Sequence, residues 1–362
     1  MSQMGKRIVV KVGSQVLCDP DGTLAGDTLA NLVNQIAGLH ADGWQVLLVS
    51  SGAVAAGSGI ATTRLQRISD PVARKQVMAA TGQVRLMETY RELFEQKGLT
   101  IAQVLATKND FQTRRRYLNM RACIEALLTA GILPIVNEND VVAVTELMFT
   151  DNDELAGLLA GMVNAERLCL LSTVAGVYDG DPEDAATKCI QRWDDDLHQV
   201  EDIVLRGTSA LGRGGMHNKL ATARKVAKLG IDVVIADGSD PQIINKVLTD
   251  HTVGTHFPAI GDASSAKRWL AVADDHATGS VTINDGAKEA LLDSSHLASL
   301  LPVGIVGVDG HFKRGDVIRI LDTSGNALGC GRARYNHENA GKVMGKHGQK
   351  PLVHYDYLYL MD

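Results

Sequence analysis

The chain has 362 residues, 45% hydrophobic and 22% charged, so it is long enough to bury ordinary cores and exceeds the commonest size of one domain. Its 36 glycines and 8 prolines follow no short period, which excludes collagen-like and low-complexity classes. Aromatic residues make up only 4% and the formal net charge is −6, so composition favours neither nucleic acid nor acidic lipid as a partner.

The start of the sequence and its cysteines both favour a cytoplasmic protein. Lys6, Arg7 and Lys11 interrupt the first apolar run, so we expect no export signal. The longest uncharged stretch, residues 43–63, contains three serines and four glycines, which makes it too polar to enter a membrane. Five scattered cysteines without CxxC spacing are typical of a reduced chain.

The first 260 residues alternate short β-branched runs with longer amphipathic segments. This order is typical of parallel strands joined by crossover helices, and it predicts an α/β fold with a mostly parallel sheet. Strands are predicted at Arg7–Val12, Gln45–Ser50, Ile101–Ala106, Ile132–Asn137, Arg167–Ser172 and Asp232–Ala236. Helices are predicted at Asp27–Ala41, Pro71–Gln96, Arg114–Ala130, Asp153–Val163 and Met216–Leu229.

The pattern changes near residues 261–265, where the chain becomes small and polar. Beyond that point short strands alternate with turn signals such as Asn284-Asp285-Gly286, which predicts a small, mostly β barrel of about 90 residues. Its strands are predicted at Ser280–Ile283, Gly304–Val308, Asp316–Leu321, Ala327–Arg334 and Leu352–Tyr357. We therefore expect two domains, residues 1–260 and residues 275–362.

Basic residues of this second region are concentrated within residues 311–350, which contain eight basic and three acidic side chains. Exposed Lys and Arg most often serve solubility alone, and an RNA-binding surface is the alternative. The eight residues, here called the basic strip, are Lys313, Arg314, Arg319, Arg332, Arg334, Lys342, Lys346 and Lys350.

Small and polar residues follow the first two predicted strands, at the sheet edge where α/β proteins bind ligands. Lys11 is followed by Gly13 and Ser14, a pattern that suits phosphate oxygens through backbone amides and one ammonium group. A lysine that reaches solvent from a strand end is the alternative. After the second strand, Ser51 and Gly52 open a helix and suit a carboxylate or phosphate, whereas close helix packing is the alternative.

Two polar runs follow the fourth predicted strand. Asn137, Glu138, Asn139 and Asp140 stand directly at its carboxyl end, where polar side chains rarely serve packing. Residues 150–154, Thr-Asp-Asn-Asp-Glu, open a helix, and their acidic residues also fit a helix capping box. Both roles can hold together, with Asp151 facing a substrate and Asp153 facing elsewhere.

A glycine-rich segment runs from Gly212 to Lys219 with the sequence Gly-Arg-Gly-Gly-Met-His-Asn-Lys. Its glycines permit positive φ and close backbone approach, so the segment predicts a loop that contacts phosphate, with Lys219 as a point charge. A flexible surface turn is the alternative. The spacing differs from that of a P-loop, so any phosphate site here is of a different kind.

Taken together and in this order, the five motifs resemble the amino-acid kinase family. The resemblance implies a three-layer sandwich around a mostly parallel sheet, and it covers nearly the whole chain because the C-terminal barrel resembles a PUA domain. The sequence is most similar to members that use ATP with Mg²⁺ to phosphorylate the γ-carboxylate of free L-glutamate. This reaction gives L-glutamyl 5-phosphate and is the first step of proline biosynthesis.

The resemblance also implies residue roles. Lys11 and Lys219 contact the transferring phosphoryl group, and Asp153 holds the two lysines in place. Glutamate is bound by Ser51, Asp140 and Asn152, with Asn137 and Asp151 close by. The nucleotide is lined by Lys11, Ser172, Thr173, Gly212, Arg213, Gly214, Gly215, Met216, His217, Asn218 and Lys219. Two departures from the family pattern, Thr173 in place of Asp and Arg213 in place of a small hydroxyl residue, bear on nucleotide preference rather than on reaction type.

The implied chemistry is consistent with these residues. A glutamate side chain is already ionised at neutral pH, so the reaction needs no general base. Lys11, Lys219 and nucleotide-bound Mg²⁺ oppose the repulsion between the two anions, and we expect no metal bound by the protein itself. Asp140 suits the α-ammonium group, which favours free glutamate over its N-acetylated form.

Regulation and assembly complete the expectations. The resemblance implies inhibition by proline at the glutamate site, and we expect a homo-oligomer. Two alternative functions stay open at this point: another amino-acid kinase acting on aspartate or uridylate, and an RNA-binding or RNA-modification protein that uses the PUA-like domain.

Overall fold

The computed structural model describes residues 6–19, 21–59, 65–112, 114–142, 151–181, 184, 186–195, 213–250, 252–260, 277–293 and 298–360. The chain forms two compact units, Met1–Thr107 with Cys123–Gly261 and Lys108–Ala122 with Asp262–Asp362. All five cysteines are free thiols. Among the described helices, none is long and apolar enough to cross a membrane.

The first unit is built on a seven-stranded sheet. Its strands are β1 (Arg7–Val12), β2 (Gln45–Ser50), β3 (Ile101–Ala106), β4 (Leu133–Glu138), β5 (Arg167–Ser172), β6 (Asp232–Asp237) and β7 (Thr255–Phe257). Across the sheet they run in the order β3-β4-β2-β1-β5-β6-β7, with β7 antiparallel to β6 and the other pairs parallel. Every residue of β1 and β4 is buried, as expected for strands covered on both faces.

Helices connect these strands. They are α1 (Ser14–Leu17), α2 (Gly26–Ala41), α3 (Ala53–Ser58), α4 (Pro71–Glu95), α5 (Asn109–Gln112), α6 (Arg114–Thr129), α7 (Asn152–Met162), α8 (Arg213–Ala227) and α9 (Ile243–Thr249). Side chains of α2, α4 and α9 share one core with Ile8, Val10 and Val12 of β1. Lys11 alternates to the opposite face of that strand and meets α7 there, so the unit has helix, sheet and helix layers.

The predicted α/β class and mostly parallel sheet are confirmed, and the six predicted strands end within one residue of the observed ones. Strand β7 was not predicted, because three residues are too few for a recognisable alternation. Helix α8 begins three residues earlier than predicted, at Arg213. The prediction of a loop was therefore wrong at residues 213–215, whereas the helix predicted from Met216 onward, which carries Lys219, is confirmed; Gly212 lies outside the described residues.

The second unit contains a five-stranded sheet. Its strands are β8 (Gly279–Ile283), β9 (Ile305–Gly310), β10 (Val317–Leu321), β11 (Ala327–Arg332) and β12 (Leu358–Leu360), in the order β12-β11-β10-β8-β9. All neighbouring pairs are antiparallel except β8 with β10. The described residues of this unit also form the helices α10 (Asp285–Leu292) and α11 (His337–Val343), and its segment Lys108–Ala122 contains α5 and the start of α6.

Two predictions for this unit were wrong in detail. The segment Leu352–Tyr357 is not a strand: Val353 makes a single bridge to Leu300, and Tyr355–Tyr357 form a 3-10 turn before β12. The signal at Asn284 starts a helix rather than a turn, because its side chain accepts a hydrogen bond from the backbone N–H of Ala287 at 2.9 Å. Asn336 caps α11 in the same way.

Asp322 closes the turn between β10 and β11. Its Oδ1 accepts hydrogen bonds from the backbone N–H groups of Ser324 and Asn326 at 3.0 and 2.9 Å, and Nζ of Lys288 lies 2.9 Å from its Oδ2. The Lys288 ammonium and then the backbone donors lower the pKa of Asp322 to about 2. This carboxylate therefore ties α10 to the β10–β11 turn.

We expect Asp322→Asn to lower the melting temperature at pH 7, and the difference from the parent to shrink as the pH falls from 4 toward 2. The native pKa of Asp322 lies below the unfolded value of about 3.9, so its stabilisation is complete above that value and is lost as the pH falls through about 2. Thermal melts at pH 7, 4 and 2.5 measure this, with exposed Asp309→Asn as the control. A loss of equal size at all three pH values would contradict the assignment.

Candidate active site

The predicted site residues of the first unit lie at one edge of its sheet. Strands β4, β2, β1 and β5 are neighbours and parallel, so their carboxyl ends meet at this edge. Asn137, Ser51, Gly13 and Ser172 lie at or just beyond these four ends. The amino-terminal turn of α7 supplies further residues to the same edge.

Lys11, Asp153 and Lys219 form a buried charged cluster, here called the triad. Nζ of Lys11 lies 2.6 Å from Oδ1 of Asp153, and Nζ of Lys219 lies 2.7 Å from Oδ2. The Asp153 side chain is fully buried, whereas those of Lys11 and Lys219 are 5% and 13% exposed. One carboxylate therefore holds two ammonium groups, and the triad carries an excess positive charge when all three groups are ionised.

Burial and mutual charge shift the pKa values within the triad. Burial lowers the pKa of Lys11, and the ammonium of Lys219 lowers it further, against the opposing effect of Asp153. Burial alone would raise the pKa of Asp153, but Lys11 and Lys219 outweigh it, so that pKa is lowered. Asp153 therefore stays ionised, and the triad offers preorganised positive charge to an anion.

Asp151 is the amino-terminal cap of α7. Its Oδ1 accepts hydrogen bonds from the backbone N–H groups of Asp153 and Glu154 at 2.9 and 3.1 Å, which fixes the turn that carries the triad carboxylate. Burial, and then the charge of Asp153, raise the pKa of Asp151. The capping role expected from the sequence is present, and the expectation that Asp151 also faces a substrate stays a prediction.

Beside the triad lies a chain of hydrogen-bonded amides. Oδ1 of Asn137 accepts from the backbone N–H of Glu138 at 2.9 Å, and Nδ2 of Asn137 donates to Oε1 of Gln83 at 2.8 Å. Nδ2 of Asn152 donates to Oγ of Ser51 at 2.8 Å and to Oδ1 of Asn137 at 3.1 Å. Three residues predicted from the sequence to lie together, Ser51, Asn137 and Asn152, are thus in direct contact.

A close crossing of α3 and α4 sets the position of Ser51. Gly52 has a φ of 97°, a left-handed conformation that turns the chain from β2 into α3. A Cβ atom at Gly82 of α4 would lie 1.8 Å from the carbonyl oxygen of the first residue of α3, and one at Gly57 of α3 would lie 1.9 Å from a carbonyl of α4. This backbone contact places Gln83 next to the amide chain.

Asp140 has a partner within the protein. Nζ of Lys75 on α4 lies 3.2 Å from its Oδ1, and the Asp140 side chain is 15% exposed while that of Lys75 is 43% exposed. The carboxylate thus accepts an ammonium group at the sheet edge, although the ammonium here belongs to the protein itself. A ligand ammonium would have to share Asp140 with Lys75 or replace it.

The residues predicted to line a nucleotide surround the end of β5 and the start of α8. Ser172 ends β5, its carbonyl accepts from the N–H of Gly238 at 2.7 Å, and Thr173 is exposed. The first two turns of α8 contain Arg213, Gly214, Gly215, Met216, His217, Asn218 and Lys219. Lys219 reaches Asp153 from the second turn of this helix.

The turn after β1 differs from its predicted use in one respect. The N–H of Gly13 donates to the carbonyl of Leu171 at 3.1 Å, so this amide is not available to a phosphate oxygen. A Cβ atom at Gly13 would lie 3.9 Å from Nζ of Lys11. The glycine therefore leaves this side of the ammonium group uncovered by a side chain.

The basic strip of the second unit is largely at the surface. Six of its eight residues are exposed, namely Lys313, Arg314, Arg334, Lys342, Lys346 and Lys350. The guanidinium of Arg332 lies 3.6 Å from the ring centre of Tyr357, a cation–π contact within the unit. RNA binding by this strip stays a prediction.

Comparison with known families shows to which family the chain belongs. Residues 6–237 match the model of the Amino acid kinase family, and residues 279–355 match that of the PUA domain. The chain belongs to the amino acid kinase family. The resemblance identified in the sequence is confirmed, and so is its C-terminal PUA domain.

Two curated relatives of this amino acid kinase match nearly all of its chain, and a solved structure shares its fold. A glutamate 5-kinase from Chlorobaculum tepidum is 47% identical over 98% of this chain and 98% of its own. One from Bacteroides thetaiotaomicron is 45% identical over 99% of this chain and 100% of its own. A solved carbamate kinase from Giardia lamblia, bound to AMP-PNP, shares the fold with a TM-score of 0.52 and 16% identity, over 70% of this chain and 98% of its own.

The sequence motifs did not identify three polar residues that lie on α4 and contact the carboxyl-end edge of the seven-stranded sheet. Lys75 pairs with Asp140, Gln83 bonds Asn137, and the buried hydroxyl of Tyr90 lies 3.0 Å from Oγ of Ser50. Burial raises the pKa of Tyr90, so its hydroxyl stays protonated. Their spacing of eight and then seven residues places them on one helix face, but the sequence does not tell that this is the face that meets the strand ends.

We expect Gly82→Ala to lower the melting temperature and the kinase activity, because its methyl group would force α3 away from α4 at a cost of about 1–3 kcal/mol. Gly38→Ala, at an exposed position within α2 with no atom near its Cβ position, is the matched control. That control should gain about 0.5–1 kcal/mol from reduced backbone entropy. Equal melting temperatures for the two variants would show that the helix crossing is not tight.

Proposed function

We propose that this chain transfers the γ-phosphoryl group of ATP to the side-chain carboxylate of free L-glutamate, forming L-glutamyl 5-phosphate for proline biosynthesis. The observation that carries the proposal is the triad, in which one buried carboxylate holds two ammonium groups at the ligand-binding edge of the sheet. The relatives' shared name, glutamate 5-kinase, confirms the sequence-based expectation of a kinase that acts on glutamate.

The residues of the triad address the electrostatic problem of this reaction. ATP supplies the phosphoryl group, and Mg²⁺ neutralises part of its charge. The acceptor carboxylate has an unperturbed pKa of about 4.3, so at neutral pH no side chain has to remove a proton from it. Lys11 and Lys219 provide positive charge where two anions must approach, and Asp153 holds that charge in place before either substrate binds.

The same edge supplies groups for the two ligands. We place Mg²⁺ on the phosphates of ATP, where it would neutralise part of their charge. The nucleotide would lie along β5 and the start of α8, near Ser172 and Lys219. Glutamate would lie over Ser51 and Asn152, with Asp140 close to its ammonium group.

Further features of the proposal rest on the family and on the shape of the acceptor. Proline has an α-carboxylate and an ammonium group but lacks the γ-carboxylate, so it would occupy the glutamate position without accepting a phosphoryl group. We therefore propose inhibition by proline in competition with glutamate. A cytoplasmic homo-oligomer and RNA binding by the PUA domain stay predictions.

The direct test uses hydroxylamine, which converts an acyl phosphate into a hydroxamate that is measured as its coloured iron(III) complex. With ATP and Mg²⁺ we expect hydroxamate from L-glutamate and little from N-acetylglutamate, because acetylation removes the ammonium charge that Asp140 would bind. L-Aspartate and UMP, assayed by ADP release, represent the other activities of the family. A preference for any of these three compounds over L-glutamate would overturn the proposal.

We expect Lys11→Ala and Lys219→Ala each to lower kcat by at least about 10²-fold. A single charge about 4 Å from the reacting group contributes about 4 kcal/mol at an effective dielectric constant near 20, before screening. Steady-state rates and thermal melts measure activity and folding together. Lys246→Ala is the control, because Lys246 pairs with Asp240 at a partly exposed position on α9 and should keep near-normal turnover. Near-normal turnover in a folded Lys11 or Lys219 variant would contradict the role of the triad.

A further inference from the structure

The hydrogen bonds of the amide chain have a fixed direction. A backbone N–H can only donate, so the atom of Asn137 that meets the N–H of Glu138 at 2.9 Å must be its carbonyl oxygen, Oδ1. The NH₂ group of Asn137 then faces Gln83, which must present its own carbonyl oxygen, Oε1, at 2.8 Å. One backbone amide thus determines the orientation of two side chains.

The same logic extends to Asn152. Because Oδ1 of Asn137 is an acceptor, Asn152 must approach it with its NH₂ group, and that group also donates to Oγ of Ser51. Both N–H bonds of the Asn152 amide are used in this way. Its Oδ1 is buried and has no hydrogen-bond partner in the part of the chain that the structure describes. A buried acceptor without a donor is unfavourable, so a ligand that supplies an N–H group would be favoured here.

We propose that Gln83 is a positioning residue for glutamate: through Asn137 it orients Asn152 so that Oδ1 accepts a hydrogen bond from the α-ammonium group of the substrate. This inference rests on the proposed function. Both carboxylates of glutamate are ionised at neutral pH and can only accept, so the ammonium group is the only donor that the substrate offers. The free acceptor of Asn152 therefore selects for an amino acid with an unmodified amino group.

Gln83 is well placed to impose this orientation. It follows Gly82, whose backbone is in contact with α3, so the start of its side chain is fixed relative to Ser51. If Oε1 of Gln83 is removed, the NH₂ group of Asn137 loses its acceptor, and only the N–H of Glu138 still holds the Asn137 side chain in place. A less firmly held Asn137 would shift the oxygen to which the NH₂ group of Asn152 donates, so Oδ1 of Asn152 would lose its fixed direction toward the substrate.

The test compares Gln83→Met, which removes the acceptor at similar size, with Gln83→Glu, which retains it. Glutarate, which is glutamate without its amino group, serves as the probe and is measured as a competitive inhibitor against glutamate. In Gln83→Met we expect the KM for glutamate to rise about tenfold, while the KM for ATP and the Ki for glutarate change less than about twofold. In Gln83→Glu the KM for glutamate should stay within about threefold of the parent value.

Gln35→Met is the matched control. Gln35 is buried on α2, and its Oε1 accepts a hydrogen bond from the backbone N–H of Ile244 at 2.8 Å. The same substitution therefore removes a comparable hydrogen bond that does not belong to the amide chain. We expect a lower melting temperature for this variant and an unchanged KM for glutamate. The control thus separates a general loss of stability from a specific loss of ammonium recognition.

The outcomes distinguish the inference from the function on which it rests. If the KM for glutamate and the Ki for glutarate rise together in Gln83→Met, Gln83 has only a structural role and the inference is overturned. An unchanged KM for glutamate in Gln83→Met, with an active parent enzyme, overturns the inference alone. A parent enzyme that forms no hydroxamate from L-glutamate overturns both.

Discussion

The kinase domain depends on one electrostatic constraint: the carboxylate of Asp153 must hold two buried ammonium groups close together. Lys11 and Lys219 repel each other, and both are largely buried, so they can stay there only while Asp153 lies between them with one oxygen for each. The carboxylate in turn depends on the first turn of α7, which Asp151 caps through two backbone N–H groups. Removing Asp153 would leave two buried ammonium groups without a counter-charge.

The neighbouring part of the edge is organised by neutral groups instead. Amides connect Gln83, Asn137 and Asn152 to Ser51, and each link has a single allowed direction because a backbone N–H sets the first one. Charge therefore governs the place where phosphoryl transfer is proposed, while hydrogen-bond direction governs the place proposed for the amino acid. The two parts meet in adjacent residues of one helix turn, Asn152 and Asp153.

Much of the fold and of the site follows from local sequence patterns. Apolar β-branched runs predicted β1 to β6, and polar residues directly after such runs predicted the positions of Ser51 and Asn137 at the sheet edge. The acidic run at residues 150–154 predicted the start of α7. The contribution of α4 could not be predicted in this way, because a 25-residue helix carries many polar residues and its sequence does not tell which of them meets a strand end. The glycines after Gly212 suggested a loop, yet Gly214 and Gly215 lie in the first turn of a helix, and the pairing of Lys219 with Asp153 is a long-range contact that no local pattern contains.

The order in which the triad residues occur along the chain has a consequence for biosynthesis. Lys11 lies in the first strand, Asp153 in the middle of the kinase domain, and Lys219 in one of its last helices. During translation the first lysine emerges long before its counter-ion, and the second lysine follows later still, so the buried charges cannot be compensated until most of the domain has left the ribosome. Incomplete chains thus lack the electrostatic arrangement for phosphoryl transfer, and catalytic competence arises together with completion of the fold.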